Sequence, residues 1–175
     1  MRSLEQALLE LVSKHGPRGI LVDTNVLLLY LFGLYQPAIV GQQRRLTHYS
    51  PDDAELIIQF LRRFRVILTT PHVLAETSNL SRQIVSGEQQ RKLALRLHPL
   101  FCLDGPESFQ ACPIDGASID RGVFGRLGLT DAGLAALVAA DTLLLTDDLN
   151  LYVAAVSTGG DAINFTHMRE AAGTV

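Results

Sequence analysis

Two hydrophobic patterns alternate along the chain: short unbroken apolar runs, and longer stretches where apolar positions recur every three or four residues. The second pattern predicts amphipathic helices and the first predicts buried strands. Leu4, Leu8, Leu11 and Val12, set among charges, predict a helix over about 3–14. A strand over 19–23, a helix over 25–35 and a loop over 35–50 follow. "SPDDAELIIQFLRRF" predicts a helix with Ser50 as N-cap, Pro51 in the first turn, and Asp52 and Asp53 at the positive end of the dipole. "RVILTTP" (65–71) predicts a second strand. Val73, Leu74, Thr77, Leu80 and Ile84 share one face of the helix after it. "GEQQRKLALRLHP" predicts a helix stopped by Pro99. Residues 100–118 hold Gly105-Pro106, Pro113 and Gly116 and predict turns.

Helices are then expected over 119–127 and from about 130. "DTLLLTDD" predicts a third strand, and its all-apolar centre suits a buried parallel sheet. A helix over "LNLYVAAVSTGG", ended by its glycines, a last strand over "DAINF" and a short closing helix over "THMREAAG" complete the pattern. Strands alternating with helices predict an α/β fold, with a parallel sheet covered on both faces.

The 175 residues suit a single domain, and 47% apolar with 19% charged residues excludes a disordered chain. The apolar runs are too short for a membrane-spanning helix, and the N-terminus lacks a signal-peptide pattern, so a cytoplasmic protein is expected. Cys102 and Cys112 lack the spacing of a zinc site and read as idle thiols. A net charge of −3 argues weakly against a nucleic-acid partner. The distribution changes that picture. Lys14 and Lys92 are the only lysines among 15 basic residues, and the arginines cluster at Arg44-Arg45, at Arg62-Arg63 with Arg65, and at Arg91 with Arg96. Arginine suits bidentate phosphate contact, although each cluster also reads as a solvated helix face.

The candidate chemistry starts at "GILVDTNVLLLYLF", where Asp23 stands alone in an apolar run. A carboxylate buried there without partners costs several kcal/mol, of order 2–7 even for an uncharged polar group. Asp23 ends the first strand, and in parallel sheets ligands sit beyond the carboxyl ends of the strands. Glu76 lies early in the helix after the second strand. Asp131 opens the helix before "DTLLLTDD", and Asp147 and Asp148 end that strand. All fall at one edge of the sheet. Neighbouring carboxylates raise each other's pKa unless a cation intervenes, and neither lysine is near in sequence. Oxygen ligands alone favour Mg²⁺ or Mn²⁺, which suit phosphodiester hydrolysis. Each acid alone has an ordinary reading too: Asp131 as an N-cap, Glu76 as a helix-surface residue, Asp147-Asp148 as turn residues. Their joint placement favours a site.

In that order, "LVDTNVLL", "TPHVLAETSNL", "LTDAGL" and "LLLTDDLNL" resemble the PIN-domain nucleases, and "INFTHMR" is similar to the end of many bacterial members. The resemblance runs from about 19 to 168 and leaves 1–18 as a helical extension. It implies a three-layer α/β/α sandwich with a central, mostly parallel sheet, and an acidic, metal-dependent ribonuclease site. Carried over residue by residue, it makes Asp23, Glu76, Asp131 and Asp148 the metal-holding acids. Thr24, Asn25 and Thr146 become supporting groups, and Asp147 the variable middle residue of Thr-x-Asp, kept as a further metal ligand. Asn150 stands where many members carry another Asp. The family also implies single-stranded RNA as substrate, pairing into homodimers and, for its toxin members, an antitoxin-type protein partner.

Arg44, Arg45, Arg62 and Arg63 are candidates to hold the RNA, with binding that weakens steeply in salt. His48 and His72 are candidate acids or phosphate contacts. Two rival readings remain. A PIN-like module that binds RNA or protein needs only an incomplete metal site. Aspartyl-phosphate chemistry needs a lysine beside the acids, and Lys14 and Lys92 are not placed for it.

Overall fold

The computed structural model describes residues 4–101 and 109–173. Strands β1 (Ile20–Val22), β2 (Ile67–Thr69), β3 (Phe109–Ala111), β4 (Leu144–Thr146) and β5 (Ala162–Asn164) form one sheet in the order β3-β2-β1-β4-β5. All pairings are parallel, with Ile20 opposite Ile67, Val22 opposite Leu145, and Thr146 opposite Asn164. The helices are α1 (Leu4–His15), α2 (Thr24–Tyr35), α3 (Pro51–Leu61), α4 (Pro71–Ile84), α5 (Gly87–Phe101), α6 (Arg121–Leu127), α7 (Leu129–Ala139), α8 (Leu149–Ser157) and α9 (Phe165–Ala172). This is the expected α/β class, a three-layer sandwich whose central strands are fully buried. Ile20, Leu21, Val22, Leu144 and Leu145 are all inaccessible to solvent. No described helix is long and apolar enough to cross a membrane.

Local signals explain most boundaries. Ser50 and Asp53 close a capping box at the start of α3, each accepting from the other's backbone N–H. Thr70 caps α4 ahead of Pro71, and left-handed Gly173 ends α9. Three expectations differ. The third strand in sequence is β3, inside the segment read as turns. It is a half-exposed edge strand whose "FQA" offers no apolar run to find it by. Helix α5 runs to Phe101, past Pro99, because a proline removes one donor without ending the helix by itself. Gly128, not Asp131, caps α7, and its φ of 86° is open to glycine at little cost.

Helix α2 is buried almost all round and packs on α3. A Cβ added at Gly33 would stand 2.8 Å from the Ala54 Cβ and 3.2 Å from the Ile58 Cδ1. Gly33→Ala gains roughly 1 kcal/mol of helix propensity, while overpacking costs about 1–3 kcal/mol. We expect a net loss of stability and a melting temperature lower by about 2–4 °C. An unchanged or higher melting temperature would mean that α2 and α3 can separate freely.

At the edge where the strands begin, α1 is pinned by charge. Buried His15 places its Nε2 2.7 Å from Asp161 Oδ2, Lys14 reaches Asp161 at 2.7 Å and Asp141 at 3.3 Å, and Arg18 pairs with Asp141. Those cations hold both carboxyls below the usual range, chiefly Lys14 for Asp161 and Arg18 for Asp141.

Candidate functional site

Asp23 emerges from β1 directly into α2 and is buried at 4% exposure. Its Oδ1 accepts from the Val26 N–H at 2.7 Å and caps the helix. Its Oδ2 accepts from the Thr146 hydroxyl and from the Asp147 N–H at 3.1 Å. The Thr146 hydroxyl also accepts from the Asp148 N–H at 3.0 Å, so one side chain ties the ends of β1 and β4 together. Burial pushes the Asp23 carboxyl up to about 6, against the pull of the Thr146 hydroxyl and the two N–H donors.

The charges of Glu76 and Asp148, with that of Asp23, act on Asp131. Exposed Glu76, in the second turn of α4, accepts from the Thr24 hydroxyl at 3.0 Å, which gives Thr24 its supporting role. Asp148 caps α8, its Oδ1 accepting from the N–H groups of Asn150 (2.7 Å) and Leu151 (3.0 Å). Asp131 is different. Freed from capping by Gly128, it makes no hydrogen bond or ion pair with any described residue. Burial first, and then the charges of Asp148, Asp23 and Glu76, push its carboxyl up to about 6. A half-buried carboxylate facing three others with no compensating cation is where a positive ligand gains most.

Asp147 stands apart. Its Oδ2 accepts from the Tyr49 hydroxyl at 2.6 Å and its Oδ1 from the Thr166 hydroxyl at 2.7 Å. Both Asp147 oxygens are thus engaged by hydroxyls that tie it to the 36–50 loop and α9. Burial and Asp147 together push the Tyr49 hydroxyl far up, so it acts as a donor.

The basic candidates divide. Arg44, Arg45 and His48 line a polar groove of about 540 Å³ with Asn25, Gln43 and Gln83. Exposed Asn25 thus belongs to that groove. Arg62 and Arg63 do not: Arg65 N–H donates to Gly16 O at 2.9 Å and its Nε to Pro17 O at 2.8 Å, which places this stretch where β1 and β2 begin, away from the acids. The reason for that placement is topological. The helix preceding a parallel strand delivers its C-terminus to the far edge of the sheet. His72 has a buried Nδ1 with no partner among the described atoms. Cys112 is half-buried, with its thiol pushed up by burial, as an idle cysteine should be; Cys102 lies outside the described residues.

Sequence reasoning missed a buried network beneath the groove. Arg169 Nε donates to fully buried Asp53 at 2.8 Å, its Nη2 donates to the His48 carbonyl at 2.8 Å, and its guanidinium lies 5.4 Å from the centre of the Tyr49 ring. Asp53 read as a dipole-complementing acid, and nothing in "THMREAAG" marked Arg169 as its partner.

Ligand spacing qualifies the acid cluster. Among the described residues, the one trio of His, Cys, Asp or Glu with ligand atoms all within 4.8 Å of one another is His15, Asp141 and Asp161, at the opposite edge and already neutralised by Lys14 and Arg18. The acids beyond the strand ends stand further apart. No family model, no curated protein and no solved structure matches this chain.

Proposed function

We propose that this chain is a metal-dependent endoribonuclease of the PIN type, hydrolysing phosphodiester bonds of single-stranded RNA. The observation that carries the reading is Asp131, whose carboxylate is half-buried, has no donor among the described residues, and faces Asp23, Glu76 and Asp148. The donor set fits a hard divalent cation because it is all oxygen and no cation pairs with Asp131 among the described residues. Bound Mg²⁺ or Mn²⁺ supplies a Lewis acid for phosphoryl oxygens and a water of lowered pKa. Asp131, Glu76 and Asp148 offer the oxygens. Thr24 orients Glu76, and Thr146 sets Asp23 against the Asp148 backbone. The reaction needs no side-chain nucleophile. With RNA as substrate we place the protein in the cytoplasm. Pairing of two copies and capture by an antitoxin-type protein belong to the same proposal.

One observation favours the second reading, a catalytically weak module that binds RNA or protein. Asp23 and Asp148 are both engaged as helix caps, and no three of the acids meet at ligand spacing.

The deciding experiment is cleavage of labelled single-stranded RNA in Mn²⁺, in Mg²⁺ and in EDTA. We expect cutting with either metal and none in EDTA. No cutting of varied RNAs, together with no Mn²⁺ binding by calorimetry, would overturn the nuclease and leave the binding module. Thr24→Val removes the hydroxyl from Glu76 and should slow cleavage by about 10–100-fold with the fold intact. Full activity in that variant would show that Glu76 needs no orientation.

A further inference from the structure

The groove lined by Asn25, Gln43, Arg44, Arg45, His48 and Gln83 has a composition that phosphate binding alone does not explain. We propose that it is a base-reading subsite for one nucleotide of single-stranded RNA, a proposal that rests on the nuclease reading and assigns where its sequence preference resides. The guanidiniums of Arg44 and Arg45 carry donors only and suit phosphate oxygens. Carboxamides carry a donor and an acceptor on one rigid group, the pairing that a base edge presents. Three of them, Asn25, Gln43 and Gln83, share this groove, and no carboxylate lines it. Two of its walls are borne by the helices that also carry the acids. Asn25 follows Thr24, which holds Glu76, and Gln83 stands two turns beyond Glu76 on the same face of α4. A strand seated on the guanidiniums is thereby led toward the carboxylates.

The arginine-bearing wall is held in place. Leu46 is buried at 1% exposure, the Leu46 carbonyl accepts from the Gly41 N–H at 3.0 Å, and Arg169 grips the His48 carbonyl at 2.8 Å. Preorganised hydrogen-bonding groups discriminate, because a wrong base leaves them unpaired.

The test is binding of 12-nucleotide oligo-A, oligo-U and oligo-C to the wild-type protein in EDTA, by fluorescence anisotropy across a salt series. We expect one homopolymer to bind at least about fivefold tighter than the others. Gln43→Ala combined with Gln83→Ala should bring the three within about twofold and leave the salt slope unchanged. Arg44→Ala combined with Arg45→Ala should weaken all three about tenfold and lower the slope by roughly 1.4, the value for two single-strand phosphate contacts. Equal binding of the three by wild type, a preference that survives loss of both glutamines, or displacement of RNA by polyglutamate at equal charge would overturn the subsite. The two readings fail separately. Selective binding without cleavage in Mn²⁺ removes the nuclease and keeps the subsite, whereas cleavage whose base preference ignores Gln43 and Gln83 does the reverse.

Discussion

Asp131→Asn is expected to abolish RNA cleavage and at the same time raise the melting temperature of the metal-free protein. The two effects share one cause. Asp131 has no donor among the described residues, and three acids face it, so at neutral pH its charge opposes folding. Asparagine keeps the shape and removes the charge. The sign follows from linkage. The carboxyl rises from 3.8 to about 6 on folding, so between those values the folded protein holds the proton more often than the unfolded chain does. Stability therefore falls as pH rises through that window, and the loss is complete at pH 7. Solvent reaches the half-buried group, so we expect about 1 kcal/mol, or roughly 2–4 °C. The pH dependence of Asp131→Asn should be flatter than wild type between about pH 4 and pH 6. Asp23 titrates in the same range and its charge acts on Asp131, so the difference reads position 131 together with its coupling to Asp23. Asp141 and Asp161, held low by Lys14 and Arg18, act at lower pH. Cleavage should fall on the order of 10³-fold with the fold intact. A variant that is both less stable and fully active would remove Asp131 from the site. Adding Mn²⁺ should raise the wild-type melting temperature and leave that of Asp131→Asn nearly unchanged.

The sheet was legible because its central strands are short apolar runs bounded by Gly, Pro and acids. "ILV", "ILT" and "LLT" could be placed, and with them the carboxyl edge. Position along the chain then pointed Asp23, Glu76, Asp131 and Asp148 toward that edge, where their charges act on one another. The edge strand "FQA" has no such run, since an exposed edge is not required to be apolar. Asp147 and Asp148 show a different limit. Adjacent in sequence, they serve opposite sides of β4: one caps α8, the other binds Tyr49 and Thr166. Spacing cannot separate them, because the choice lies with partners 98 and 19 residues away. The same holds for Arg62 and Arg63. A local cluster of charge says nothing about which edge of the sheet it will occupy.

Arg169→Met should be the most destabilising of the substitutions considered, with a loss of about 3–5 kcal/mol and a melting temperature lower by about 10 °C. An ion pair seldom deserves such weight. Lys92 and Glu88, 3.0 Å apart and exposed at 70% and 78%, contribute a few tenths of a kcal/mol at most. The Arg169–Asp53 pair differs because Asp53 has no solvent access and Arg169 has only 10%. Methionine fills the stem of the arginine but removes the Nε donor from Asp53 Oδ1, while Ser50 still donates to Oδ2 (2.7 and 2.9 Å). The expected cost comes from taking the guanidinium away from a fully buried carboxyl, which a second substitution can demonstrate. Asp53→Asn placed on Arg169→Met should restore part of the stability, and the two changes should be strongly non-additive in a double-mutant cycle. Additive losses, or a cost under about 1 kcal/mol for Arg169→Met, would show that the pair is ordinary. Because Arg169 also holds the His48 carbonyl and covers Tyr49, the variant should weaken RNA binding even at temperatures where it stays folded. The groove and the acids would then no longer be set at a fixed distance: Tyr49 holds Asp147 on one side, and the Asp147 N–H holds Asp23 on the other.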